Sequence, residues 1–199
     1  MIRTAAVGVA NHTGWAHLVT VAWGDDAPEV VDRRRVALIG EGLPKQPYEH
    51  EAGKLPPGEA QALIAQVRAS AESCALDALA TLRAELAPTF EVTAIALKRQ
   101  LRFDRLPQSV SEVLADLQFK YAADAMLFLE PLEAAATALG LAVTRHAKTA
   151  EYEMAAARLG MGAADAEAWL KELGKQLGPP WTAEHQRAAA AAIGLLETG

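Results

Sequence analysis

Histidines and carboxylates are the first residues of this sequence that are able to carry chemistry. Of the five histidines, His17 falls inside an apolar stretch, and the other four lie at the ends of such stretches or in a Pro-rich segment: His12, His50, His146 and His185. Imidazole combined with a carboxylate such as Glu51 or Glu184 suits Zn²⁺, Mn²⁺ or Fe²⁺ better than Mg²⁺. No His-x-x-x-His spacing is present, so surface or capping histidines that serve hydrogen bonds are the alternative.

A second group of residues is cationic and indicates anion binding. It consists of Arg34, Lys98, Arg99, Arg102, Arg145 and Lys148. Lys98 and Arg99 end one predicted strand, while Arg145 and Lys148 flank the end of another, and parallel neighbouring strands bind ligands at their carboxyl ends. We therefore expect these four residues to bind an anion, because Arg and Lys contact phosphate and carboxylate groups well. A solvated face paired with the many acidic residues is the alternative.

Other reactive side chains give weaker signals. Cys74 lies on the apolar face of a predicted helix, and Ser70 and Ser73 on that helix have no histidine at catalytic spacing. Gly8 and Gly14 are too sparse for a Walker or dinucleotide-binding loop. The sequence therefore predicts no nucleophilic triad and no nucleotide-binding loop of these types.

The composition restricts the class of protein. The chain has 199 residues, of which 51% are hydrophobic and 22% charged, which is typical of one compact domain over 1–199. A net charge of −6 argues against a surface that coats long duplexes, whereas a local basic pocket selects an anion. Apolar runs such as Ala188–Ile193 are too short for the roughly 20 residues of a membrane helix. A single cysteine and no leader pattern favour the cytoplasm.

Hydrophobic patterning predicts the elements that position these side chains. Apolar and β-branched stretches bounded by turn residues predict three antiparallel strands over 3–9, 15–23 and 30–39, and later strands over 90–97 and 141–145. Periodic apolar residues predict a long helix over about 58–86 and helices over about 108–139, 150–159, 164–177 and 182–196. Breaks are expected near Lys120 and at Pro131, with Thr149 and Thr182 as helix N-caps.

This order of elements predicts an α/β fold with a mixed five-stranded sheet. Three antiparallel strands are followed by strands reached through helical crossovers, with helices on both faces. Alternation along the third strand sends Arg34 to one face of the sheet and Arg33 and Arg35 to the other. The run Ala188–Ala192 is expected to pack closely against another backbone because its side chains are small.

The predicted order resembles the ribonuclease H-like fold and, within it, the RuvC-type Holliday-junction resolvases. Residues 7–16, VGVANHTGWA, resemble the first strand of that branch and the Thr-Gly-aromatic start of its second strand. Residues 184–193, EHQRAAAAAI, resemble its last helix, which is polar at the start and Ala-rich afterwards. The chain also resembles a group of bacterial proteins of similar length, a likeness that implies no activity.

The resemblance implies where the strand ends meet. In this fold the ends of strands one, four and five and the start of the last helix open on the same side of the sheet. We therefore expect one cleft surrounded by Asn11, His12, Lys98, Glu184 and His185. A divalent metal in this cleft, Zn²⁺ or Mn²⁺, is expected to be held by His12, His146 and His185.

The resemblance also implies a comparison with two-metal nucleases. Nucleases of this fold hold two Mg²⁺ ions between an Asp ending strand one, an acid ending strand four and acids or histidines on the last helix. Here Ala10 or Asn11 stands at the first place and Lys98 at the second, and only Glu184 and His185 have suitable side chains. We therefore do not expect two-Mg²⁺ nuclease chemistry, and the site is interpreted as degenerate.

These observations favour three hypotheses about function. The first is a divergent ribonuclease H-like protein that binds a nucleic acid or a phosphate-bearing small molecule in the cleft at the strand ends. The second is a phosphoesterase that depends on a metal held by histidine and carboxylate. The third is a non-catalytic protein-interaction module, in which the long helix and the acidic surface matter more than any pocket.

Overall fold

Tight turns and alternating apolar residues build an antiparallel unit from the start of the chain. The computed structural model describes residues 2–99 and 106–197. Strands β1 (Arg3–His12), β2 (Trp15–Trp23) and β3 (Pro28–Ala37) pair antiparallel in that order. Strand β3 lies two residues earlier than the pattern predicted, because its ends are set by pairing with the ends of β2. The turn between β1 and β2 holds Gly14 at φ +80°, where a glycine is favoured.

The segment after β3 leads into the first crossover. It contains a short helix α1 (Pro47–His50) and a 3₁₀ turn (Ala52–Lys54), and helix α2 (Pro57–Leu86) follows. Strand β4 (Phe90–Lys98) then pairs parallel to β1. The long crossover helix therefore returns the chain to the middle of the sheet, as the sequence predicted.

The second crossover differs from its prediction in where it breaks. Helices α3 (Val110–Leu114) and α4 (Leu117–Ala138) meet at Asp116, whose carboxylate caps the first turn of α4, so the break is not at Lys120. The predicted break at Pro131 is wrong, since α4 continues through this buried residue. Packing of α4 against α2 and the sheet offsets the one backbone hydrogen bond that proline removes. Strand β5 (Ala142–His146) then pairs parallel to β4.

The chain ends in three helices on the opposite face of the sheet. They are α5 (Glu151–Leu159), α6 (Ala163–Leu177) and α7 (Ala183–Ile193). Thr182 caps α7 as predicted, whereas Thr149 makes no cap for α5 and adopts φ +74°. The sheet order is β3-β2-β1-β4-β5, which confirms the predicted mixed five-stranded sheet covered on both faces.

The last helix approaches the central strand unusually closely. An added Cβ at Gly8 of β1 would lie 1.7 Å from the Ala188 carbonyl oxygen of α7. The alanines from Ala188 to Ala192 are all buried, because α7 packs against β1 and β2 on one side and against α5 and α6 on the other. The predicted close packing of this run is therefore confirmed, and it fixes the start of α7 beside the end of β1.

The three arginines of β3 alternate between the faces as predicted. Arg34 forms ion pairs with Asp32 and with Glu85 of α2, each at 2.7 Å. Its charge is therefore neutralised on the α2 side of the sheet. Arg33 donates to the carbonyl oxygens of Leu177 and Gly178, at 2.9 and 2.8 Å, at the end of α6. Arg34 is therefore a structural cation rather than part of an anion site. No helix in the part of the chain that the structure describes is long and apolar enough to cross a membrane.

Candidate functional site

A small cleft opens where β1, β4 and β5 end and α5 and α7 begin. We call it the strand-end cleft, and its volume is about 170 Å³. Its polar lining residues are Asn11, His12, Lys98, His146, Lys148, Thr149, Glu151, Glu184 and Arg187. The fold thus brings together Asn11, His12, Lys98 and Glu184, which the sequence placed around one cleft although most of the chain separates them.

Cations supply much of the polar lining of this cleft. Lys98 ends β4 and is half-buried, while Lys148 follows β5 and is exposed. Neither ammonium group forms an ion pair or a hydrogen bond within residues 2–99 and 106–197. Arg187 enters from α7 and lies near Tyr152, where its charge opposes the rise that burial causes in the Tyr152 pKa. Two ammonium groups without a partner among these residues and one guanidinium group, in so small a space, favour binding of an anion.

A carboxylate on α7 organises the histidines at one side of the cleft. Glu184 lies 2.9 Å from His12 Nε2 and 3.7 Å from His17 Nε2, so its two oxygens connect β1 and β2 to the helix. The His12 ring stacks on Trp15 with centroids 4.0 Å apart. Burial lowers the pKa of His17, and the charge of Glu184 opposes this shift. Both carboxylate oxygens of Glu184 therefore lie beside histidines of the protein itself, His12 and His17.

His185 does not line the cleft, although the sequence placed it there. Its side chain is buried between His17 and Trp181, and its Nδ1 accepts a hydrogen bond from the Thr182 backbone N–H at 3.3 Å. This arrangement is a capping box at the start of α7. Burial lowers the pKa of His185, and the charges of His17 and Arg33 lower it further. His185 is thus a structural residue at the helix start.

Two buried acceptors lie at the other side of the cleft. The side chains of His146 and Glu151 are 4% and 7% exposed, and His146 Nδ1 lies 4.0 Å from Glu151 Oε1. His146 Nδ1 also lies 3.0 Å from the Ala147 carbonyl oxygen. His146 Nε2 is buried and has no hydrogen-bond partner among the residues that the structure describes.

Two of the predicted anion ligands lie outside the cleft. Arg145 binds Glu133 of α4, because the residue before His146 in β5 faces the opposite side of the sheet. Arg99 follows the last residue of β4 and is exposed outside the lining. Arg102, which the sequence grouped with them, falls outside the described residues. Of the predicted cation set, Lys98 and Lys148 therefore line the cleft.

The predicted metal site of His12, His146 and His185 is not formed. His12 and His146 line the cleft from different strands, whereas His185 is turned into the α7 capping box. Across residues 2–99 and 106–197, no three His, Cys, Asp or Glu side chains are grouped closely enough to hold a metal ion. His50 is exposed beside Glu49 at the end of α1, and Glu51, which follows it, is half-buried. Neither His50 nor Glu51 lines this cleft.

Sequence reasoning missed Arg187, Glu151 and His17. Arg187 lies three residues after Glu184 on the same helix, so helical spacing places both on one side of α7. Glu151 is in the first turn of α5, next to the end of β5. His17 pairs with Ala10 of β1 in the sheet, which puts it beside the cleft residues of that strand. Helical spacing would have found Arg187, position after β5 would have found Glu151, and the β1–β2 register would have found His17.

Comparison with known proteins supports the fold. A structure of Thermus thermophilus RuvC in complex with a Holliday junction substrate matches with a TM-score of 0.50 and 14% identity, covering 96% of this chain and 91% of that chain. A second Thermus thermophilus RuvC structure matches with a TM-score of 0.50 and 16% identity, covering 96% and 92%. No family model and no curated protein matches the sequence. The predicted ribonuclease H-like fold and its likeness to RuvC are thus confirmed at the level of fold.

Proposed function

We propose that the strand-end cleft binds the phosphate group of a nucleic acid or of a phosphate-bearing small molecule. The observation that carries this proposal is the convergence of Lys98, Lys148 and Arg187 on one cleft at the carboxyl ends of parallel strands. Ligands bind at this edge in open α/β sheets. RuvC, whose fold this chain shares, was solved with a Holliday junction substrate, which favours a nucleic acid as the source of the phosphate.

Charge balance supports a phosphate over a neutral ligand. The cleft lining holds three cations, Lys98, Lys148 and Arg187, against two carboxylates, Glu151 and Glu184. Lys98 and Lys148 have no acidic partner in the described part of the chain. The chain as a whole carries a net charge of −6, so the surrounding surface repels polyanions. A local cationic cleft on an acidic protein favours contact with one or a few phosphates rather than a long duplex.

The lining does not fit two Mg²⁺ ions. Two such ions require several hard oxygen ligands, held mainly by carboxylates. Lys98 stands at the end of β4 and Asn11 near the end of β1, and Glu184 is already engaged by two histidines. The cations of the protein itself therefore neutralise the bound phosphate in the proposed function.

Isothermal titration calorimetry with a short 5′-phosphorylated oligonucleotide tests this proposal. Lys98→Glu should weaken binding at least about tenfold, because removing a charged hydrogen bond costs about 1.5–3 kcal/mol and the new charge repels the ligand. Arg99→Glu is the matched control, since it makes the same charge change one residue away but outside the cleft. Its affinity should stay within about twofold of that of the wild type.

Two results would overturn the proposal. An equal loss in both variants would show that only overall charge matters. An unchanged affinity in Lys98→Glu would exclude the cleft as the phosphate site. A large drop in the thermal midpoint of Lys98→Glu would make Lys98 a structural cation, and exposed Lys148 would then be replaced by Glu to decide the question.

A specific observation also favours the interaction-module alternative. A groove of about 660 Å³ lies between the β2–β3 turn and α6, with Trp169 and Leu173 among its apolar lining residues. Its acidic residues are Asp25, Asp26, Glu29 and Glu172. This lining fits a basic amphipathic peptide, and Glu172→Lys should abolish binding of such a peptide while leaving phosphate binding unchanged. No corresponding grouping of ligands within residues 2–99 and 106–197 supports the metal-dependent phosphoesterase.

A further inference from the structure

A row of stacked planar side chains ends at the strand-end cleft. The His12 ring lies on Trp15 with centroids 4.0 Å apart and planes inclined by 7°, and the Arg35 guanidinium lies over Trp15, 4.4 Å from the ring centroid. The three residues come from β1, β2 and β3, which are neighbours in the sheet. His12 and Arg35 therefore flank Trp15 on opposite sides, and of the three it is His12 that lines the cleft.

The face of the His12 ring that Trp15 does not cover is directed into the cleft. Strand β1 has β2, with Trp15, on one side and β4 on the other, so the second face of the ring is turned toward β4. Lys98 ends β4 and lines the cleft there, beside His146 of β5. The His12 side chain is 34% exposed and lines this same space. The ring therefore presents an aromatic surface to the space that the cleft cations surround.

Contacts within the protein hold the His12 ring in this position. Its Nε2 lies 2.9 Å from Glu184 Oε1, and because a carboxylate only accepts, Nε2 donates this hydrogen bond. His17 packs edge-on against Trp15, with centroids 5.0 Å apart and planes inclined by 85°, and so fixes the ring beneath His12. A ring that is fixed in advance loses little side-chain freedom when another planar group stacks on it. Nucleobases are planar groups that stack on aromatic side chains with little regard to sequence.

We propose that a nucleobase stacks on the open face of His12 while the phosphate of the same nucleotide binds Lys98, Lys148 and Arg187. This inference rests on the proposed phosphate-binding function and adds the base as a second recognised group. The cleft has a volume of about 170 Å³, so a base on His12 and a phosphate on Lys98 are close enough to belong to one nucleotide. The ligand class narrows from any phosphate-bearing molecule to a nucleotide, either free or in a strand.

Two matched ligand pairs test the inference by isothermal titration calorimetry. Adenosine 5′-monophosphate is compared with ribose 5-phosphate, and a short 5′-phosphorylated oligonucleotide with an abasic strand that carries the same phosphates. The base-bearing member of at least one pair should bind at least about fivefold more tightly, because its counterpart has no ring to stack on His12. A difference within the monophosphate pair shows that a free nucleotide suffices, and a difference confined to the strands identifies a nucleic acid as the ligand.

Variants of His12 connect the preference for a base to the ring. His12→Gln keeps a donor for Glu184 but removes the aromatic surface, so the base-bearing ligand should bind no more tightly than its counterpart. His12→Phe removes the donor but keeps a ring, so the preference should remain. His50→Gln is the matched control, because His50 is exposed outside the cleft and should keep the preference. His12→Ala replaces His12→Gln if that variant does not fold.

The outcomes separate this inference from the function on which it rests. Equal affinity within both pairs, with binding still weakened in Lys98→Glu, would overturn base stacking and leave phosphate binding intact. A preference that survives in His12→Gln would show that other atoms contact the base, and a preference lost in His12→Phe would show that the ring does not carry it. Either of these results also overturns the inference. Failure of all four ligands to bind would overturn the proposed function itself.

Discussion

Replacing Gly8 with alanine should both destabilise the protein and move one wall of the strand-end cleft. The new Cβ would lie 1.7 Å from the Ala188 carbonyl oxygen, whereas ordinary contacts begin at 3.4 Å. Strand β1 is held by β2 and β4 on either side, so α7 has to move away by about 1.7 Å at this point. Because Ala188 itself lines the cleft and Glu184 is one turn earlier, the displacement reaches the site.

The expected loss of stability follows from the overpacking of a rigid contact. Such substitutions cost about 1–3 kcal/mol, and a backbone oxygen yields less than a side chain does. With a urea dependence of about 2–3 kcal/mol per M, the unfolding midpoint should fall by roughly 0.3–1.5 M. Phosphate affinity, measured on the folded variant, should fall as well because the cleft wall has shifted.

A glycine in open space provides the control for Gly8→Ala. Gly58, in the first turn of α2, has no atom within 4 Å of an added Cβ. Gly58→Ala should be neutral or stabilise the protein by up to about 1 kcal/mol, since alanine favours the helix. An unchanged urea midpoint in Gly8→Ala would refute the close packing of α7 on β1 as a determinant of the fold.

Three further predictions test other contacts. Arg33→Ala should lower the free energy of unfolding by about 2–3 kcal/mol in urea titrations, because carbonyl oxygens at the end of α6 lose a charged donor. The control Arg35→Ala should lower the free energy of unfolding by less, because Arg35 is exposed. Burial raises the pKa of Asp124 to about 6, so its contribution to stability is full below pH about 4 and is lost as the pH rises through about 6. Relative to Asp124→Asn, the wild type should lose about 2–3 kcal/mol between pH 4 and 7, and an unchanged difference would contradict this. Glu184→Gln should lower the pKa of His17 further, as followed by NMR, because Glu184 is the charge that raises it.

The fold was largely predictable because the hydrophobic periodicity and the turn residues indicate the same element boundaries along most of the chain. Strand β2 was predicted with its observed ends, since glycine turns bound an apolar stretch on both sides. Helix α4 was harder, because Pro131 signals a break that tertiary packing overrides. The position of β3 along the chain depends on its pairing with β2, which composition alone does not encode.

The sequence could predict which strand ends form the candidate site, but not which side chains at those ends face the cleft. The register pairs Lys98 with His146, so alternation turns their neighbours Leu97 and Arg145 to the other face. Knowing the register would have removed Arg145 from the predicted anion site. The sequence analysis placed His185 in the cleft, whereas its ring forms a capping box with Thr182 at the start of α7. The same sequence pattern allows this local hydrogen bonding.

The measurement that tests the central claim most directly is a crystal structure of the protein with a 5′-phosphorothioate oligonucleotide. The anomalous signal of the sulfur locates the terminal group without reference to the rest of the ligand. The cleft account predicts this signal within hydrogen-bonding reach of Lys98, with Lys148 and Arg187 around it. A signal at any other place on the protein, for an oligonucleotide that binds in solution, would contradict the account.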